Sequence, residues 1–201
     1  GGAAVPQSYW DFKEVMQDVQ SIFTNTKDRI YDEVLSSLEQ KSNNFYQQLT
    51  AGNNVDGGKL IFSKTSYDAI QLKVINESGG EFTGASEGFQ RMKKIAVVMA
   101  IVSSKIGGGY YDYPFIADAP FSAFGKNFIT NFFETVPSVF RQCVIMIKDL
   151  YDINDPDFIS DEGKKILKDM KEGRIKGTFY VNQIPEIADP TKLETKIHQY
   201  K

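Results

Sequence analysis

The feature that most restricts this chain is a proline-free run from residue 8 to residue 49. Phe12, Val15, Met16, Val19, Ile22, Phe23, Ile30, Val34, Leu35, Leu38, Phe45 and Leu49 recur there at steps of three and four, with polar residues between them. That spacing follows the helical turn, so the run forms one long amphipathic helix or two consecutive ones. A helix this long without strong internal caps leaves the globular body as the root of a coiled coil; the other reading is a helical hairpin inside the core. Asn43, Asn44 and the gap between Phe23 and Ile30 break a strict heptad.

Behind it, Ala51 to Gly58 is a loop by composition. Lys59–Ser63 and Ala69–Ile75 then read as two strands of a small antiparallel hairpin, the second alternating clearly. The Gly-containing stretch from Gly79 to Gln90 runs without a break into Arg91–Val102, a helix apolar enough in its second half to be largely buried. Ser86 stands where an N-cap belongs. Free backbone N–H groups and the positive end of a helix suit a phosphate, and capping alone also accounts for a serine there.

Tyr113 to Ser122 is a short apolar run that ends on Asp118 and turns at Pro120. It reads as a buried parallel strand, and the carboxyl ends of such strands are where ligands sit in open α/β sheets. Asp118 is thus either a ligand-facing acid or a cap for the turn that follows. Phe128–Val139 reads as a helix up to Pro137, and Gln142–Ile147 as a second buried strand ending at Lys148. Two such strands joined by a helix make a right-handed βαβ unit, with Asp118 and Lys148 at one edge if the strands are neighbours. Beyond Asp155 come a helix near Asp161–Lys171, a strand at Gly177–Asn182 and a polar tail from Pro185, none of which carries assignable chemistry.

With 41% hydrophobic residues, 201 residues suffice for one sizeable core with an appendage. The chain divides into a linker or cloning remnant at 1–7, the long helix at 8–50 and a lobe at 51–201. A net charge of −3 argues against a surface that coats nucleic acid as a whole, though a local basic face stays open. A lone Cys143 fits a reducing, cytoplasmic setting and reads as a small buried hydrophobe. A lone His198 rules out His-rich metal sites and disfavours Ser-His-Asp or Cys-His catalysis. No apolar run reaches the length of a membrane span, and no Gly-x-x-x-x-Gly-Lys-Ser/Thr occurs.

The order of these parts resembles the C-terminal half of an ABC-type ATPase head. A Ser-x-Gly turn opens a buried helix; some thirty residues on, a hydrophobic strand ends Asp-x-Pro before a Ser-Ala turn; some thirty further, another strand ends in a polar pair. The entering helix is similar to that of the SMC-like branch of coiled-coil, DNA-associated ATPases, and within it of the DndD-like proteins of DNA modification and phage defence. The resemblance covers roughly residues 20 to 152. It implies an α/β fold: an ABC-ATPase-like C-terminal lobe with buried parallel strands flanked by helices, entered by a coiled-coil root.

The resemblance also implies roles. Ala85 to Gln90 would stand for the signature motif, with Ser86, Glu87 and Gly88 at ATP and Ser86 and Gly88 on the γ-phosphate held by a second head. Asp118 would be the Walker B acid that supports Mg²⁺ through its water shell. Ser122 and Ala123 would open the D-loop, whose usual acid is replaced by Gly125. Lys148 would hold the switch position, normally a histidine. The glutamate that orients the attacking water is replaced by Ala119, which can neither accept a proton nor orient water. Hydrolysis is then slow or absent, another residue serves, or the alanine was introduced to trap ATP. The implied partners are an N-terminal P-loop half, a second head in a homodimer, and DNA, with ATP and Mg²⁺ as cofactors and no membrane. The rival readings are a structural coiled-coil or interaction protein with a degenerate head, and the nucleotide-binding subunit of a transporter.

Overall fold

The computed structural model describes residues 6–52, 57–65, 69–82, 86–104, 113–118, 126–146, 159–175, 179–183 and 196–200. A single helix, α1, runs from Gln7 to Thr50 over 44 residues, so of the two forms expected, one long helix is the one present. Its two halves live in different surroundings. From Ser42 onward one face is buried, through Ser42, Asn43, Tyr46 and Leu49, whereas Tyr9, Phe12, Met16, Val19, Phe23, Ile30 and Val34 are exposed and Tyr31 is half-buried. The helix ends where Gly52 turns left-handed at φ 70°, a conformation only glycine adopts cheaply.

The root of α1 meets a hairpin of β1 (Lys59–Lys64) and β2 (Ile70–Ile75), antiparallel with Leu60 opposite Val74. Leu60 and Val74 both point into the core. The backbone of Leu60 turns outward and pairs with a side chain. Asn43 Oδ1 accepts from Leu60 N–H at 2.8 Å, and Asn43 Nδ2 donates to Leu60 C=O at 2.8 Å. One turn earlier, Glu39 Oε2 accepts from Phe62 N–H at 2.8 Å. The asparagine that weakens the heptad in sequence is thus the residue that binds the helix to the sheet.

Helix α2 (Glu87–Ser103) packs along α1 and buries Gly88, Phe89, Met92, Ala96, Met99 and Ala100. Its end is tied to α1, because Ser104 Oγ accepts from Lys41 Nζ at 3.0 Å. Helix α3 (Lys126–Thr135) closes the other side: Asn131 Nδ2 donates to Leu49 C=O at 3.1 Å and Ala51 C=O at 2.8 Å, and Asn127 Nδ2 to Gly52 C=O at 2.6 Å. These carbonyls would otherwise be orphans of the α1 terminus. Pro137 then converts the chain into a 3-10 turn, Val136–Ser138, as the helix-stopping proline predicts.

Strands β3 (Phe115–Asp118) and β4 (Cys143–Met146) pair in parallel, Phe115 opposite Cys143 and Asp118 opposite Met146, on either side of α3 in sequence. The expected βαβ pairing is present, but the expectation of strands buried on both faces is not met. Phe115 packs on Phe132 and Phe140, with ring centroids 5.7 and 5.0 Å away. Ile116, Val144 and Met146 alternate onto the other face and are exposed, Ile116 to 65%. The period of two sends successive side chains to opposite faces, and among the described residues only one face is covered.

Helix α4 (Asp161–Lys171) is capped by Ser160, whose side chain accepts from Gly163 N–H at 3.0 Å, and it adds Ile166 and Met170 to the core. The strand expected at Gly177–Asn182 is present as β5 (Phe179–Gln183), and the tail expected only to be polar contains β6 (Lys196–Tyr200), antiparallel to it. Lys196-Ile197-His198-Gln199-Tyr200 carries no clean period of two, so nothing in its pattern marks it as a strand. Among the described residues no helix is long and apolar enough to cross a membrane.

Candidate functional site

Ser86 precedes the first turn of α2 with φ −56° and ψ 157°, the extended geometry of an N-cap. Its hydroxyl makes no capping hydrogen bond, while its carbonyl accepts from Gln90 N–H at 3.2 Å. Capping therefore does not account for the serine, and its side chain is exposed at the positive end of a 17-residue helix. Gly88 lies buried on the next turn. Glu87 is exposed, and its carboxylate accepts from Arg91 Nε at 3.1 Å one turn on.

The turn is held from beneath by aromatic rings. Phe89 meets Phe128 of α3 edge-on at 5.1 Å and Phe82 at 6.5 Å. A Cβ on Gly57 would come within 2.8 Å of the Phe89 ring, so this glycine lets the loop backbone approach α2. Tyr46 Oη donates to Gly57 C=O at 2.7 Å, which joins the root of α1 to the same point. Sequence composition marks Gly57 only as part of a loop; the close approach is legible in the structure alone. Further along α2, burial first and then the neighbouring Lys94 charge lower the Lys93 pKa.

Asp118 ends β3, exposed, directly across from Met146 at the end of β4. Two parallel strands in this register present their carboxyl ends at one edge, and Lys148 follows Met146 by two positions. Lys148 itself, together with Ala119, Ser122, Ala123 and Gly125, lies outside the described residues. Ser86 and Asp118 belong to separate elements, one opening a helix and the other closing a strand. Among the described residues no group of three or more His, Cys, Asp or Glu side chains is placed to hold a metal ion. An exposed carboxylate at a strand end suits Mg²⁺ only as one hard oxygen in a shell completed by water and phosphate.

No protein-family model and no curated protein matches the chain in sequence. Solved structures do match in fold. The Smc head domain with a coiled coil and joint from Pyrococcus yayanosii superposes with a TM-score of 0.54 at 11% identity, over 70% of this chain and 27% of that one. The Smc head domain with an extended coiled coil, bound to the C-terminal domain of ScpA and derived from Pyrococcus furiosus, gives 0.56 at 9% identity, over 93% and 40%. An SmcHead bound to the C-winged helix domain of ScpA gives 0.52 at 8% identity, over 87% and 45%. The chain therefore spans between about a quarter and a half of each of these three structures. Its mixed helix and strand architecture, with a long leading helix and a small parallel sheet, has the fold of part of an SMC head domain.

Proposed function

We propose that this chain is the C-terminal half of an SMC-like, DndD-like ATPase head, which binds ATP-Mg²⁺ in trans and dimerises to act on DNA. The observation that carries the reading is the parallel β3–β4 pair, with Asp118 at its carboxyl edge and Ile116, Val144 and Met146 bare on one face. Parallel sheets are stable when both faces are covered and when more than two strands take part. An N-terminal half carrying the P-loop supplies the remaining strands and the phosphate cradle.

Each nucleotide then lies between one head's P-loop and Asp118 and the other head's Ser86 and Gly88. Ser86, its hydroxyl not engaged in capping, donates to a γ-phosphate oxygen, and the positive end of α2 favours that charge. Asp118 would hold the metal through its water shell, and Lys148, Ser122 and Ala123, which lie outside the described residues, keep the roles toward ATP that the resemblance gives them. A bound Mg²⁺ would supply charge neutralisation at the phosphates, with Asp118 the residue that would help hold it. Ala119 orients no water, and this favours a second reading of the same site: a nucleotide-gated structural or interaction head that holds ATP without cutting it.

The test is to mix the chain with its P-loop half and follow mass by sedimentation. ATP-Mg²⁺ should produce a dimer of heads, and Ser86→Arg should abolish it by placing a long cation at the helix end. A dimer indifferent to both nucleotide and Ser86 overturns the reading.

A further inference from the structure

The outer half of α1 carries an apolar stripe that nothing among the described residues covers. With Met16, Phe23 and Ile30 taken as the first position of successive heptads, Phe12 and Val19 fall on the fourth, and all five are exposed, Phe23 to 73%. The charges around the stripe are sorted. Lys13, Lys27 and Arg29, the only cations between Gln7 and Asp32, all fall on the positions that flank it. Asp11, Glu14, Asp18, Asp28 and Asp32, the only acids in that interval, all fall on the positions that face away. Lys13 is held near this flank, with its Nζ 5.2 Å from the centre of the Trp10 ring.

Flanking charges decide which helix a seam accepts. A second copy fits poorly. In an antiparallel pair overlapping along the whole stripe, Lys13 of each copy approaches Lys27 of the other; in a parallel pair no acid stands opposite any of the three cations. We infer that the stripe is the seam for an amphipathic helix whose own flanks are acidic, and that it takes such a helix in preference to a second copy of itself. This rests on the reading of α1 as one strand of a coiled coil, with the helix that leaves the P-loop half as its occupant. It does not depend on nucleotide.

Two synthetic three-heptad helices with leucine and isoleucine in the seam, one with glutamate and the other with lysine at every flanking position, separate the outcomes. Titrated against the 201-residue chain at low salt, the acidic peptide should bind about tenfold more tightly, from three exposed pairs switched between attraction and repulsion. The preference should fade at high salt. It should reverse in the triple variant Lys13→Glu, Lys27→Glu, Arg29→Glu, whose helicity is checked by circular dichroism. Equal affinity for both peptides, no binding of the acidic one, or a dimer of the chain alone that Phe23→Glu dissolves would each overturn the inference. None of these results touches Ser86 or ATP, so a failure here leaves the proposed head to be judged by its own test.

Discussion

Adjacent residues at the root of α1 place opposite demands on the fold. Asn43 is 7% exposed and its amide satisfies both backbone groups of Leu60. Ser42 is fully buried, and its hydroxyl has no hydrogen-bond partner. Leaving a buried donor or acceptor unpaired costs about 1–3 kcal/mol each, whereas replacing an unpaired hydroxyl by a methyl removes a desolvation cost. Asn43→Leu should therefore lower unfolding free energy by about 2–4 kcal/mol. Ser42→Ala should raise it by up to about 1 kcal/mol, helped by the helix propensity of alanine. Urea titrations of the two variants check both signs. The sequence displays Asn43 as a polar interruption of an apolar pattern; no local rule reveals that its partner is a strand seventeen residues on.

At the scale of elements, α1 is one helix with two regimes. Its last three turns are joined to β1, α2 and α3 through Asn43, Glu39, Lys41 and the asparagines of α3, while its first half exposes Phe12, Ile22 and Phe23 to more than 60% each. Helices in water without tertiary contacts are marginal, so protection should not be uniform. Amide exchange in the isolated chain should be fast from about residue 10 to residue 30 and slow from Glu39 to Thr50. Uniform protection along α1 would mean that its outer half is covered. Periodicity made the extent of this helix legible, though not that it is one helix and not two, and it also gave helix α4 and the end of α3 before Pro137. The pattern could not say which part of the stripe packs at home, because Phe23 and Leu49 contribute equally to it. Ser86 and Asp118 were legible as positions at an element's end; that the Ser86 hydroxyl is left unused by its cap required coordinates.

For the whole molecule, the core gathers on one side of the β3–β4 pair. Phe115 touches the rings of Phe132 and Phe140, while its neighbour Ile116 touches solvent. In the isolated chain Ile116→Thr should change stability by less than about 0.5 kcal/mol, and Phe115→Ala should cost about 2–3 kcal/mol. The comparison is read by urea unfolding, and a large cost for Ile116→Thr would show that its face is already covered. Short apolar strands look alike in sequence whether one face or both are buried, which is why these two were expected to be buried throughout. The clamp on β1 has a wider consequence. A strand whose outward N–H and C=O groups are open is a template for another chain, and natural sheets guard such edges with charge, twist or cover. Asn43 and Glu39 occupy those groups at Leu60 and Phe62 with side chains of the chain's own helix. The helix root therefore acts as a stopper against strand-to-strand self-assembly, and a chain that loses Asn43 is exposed to misassociation along β1 as well as to unfolding.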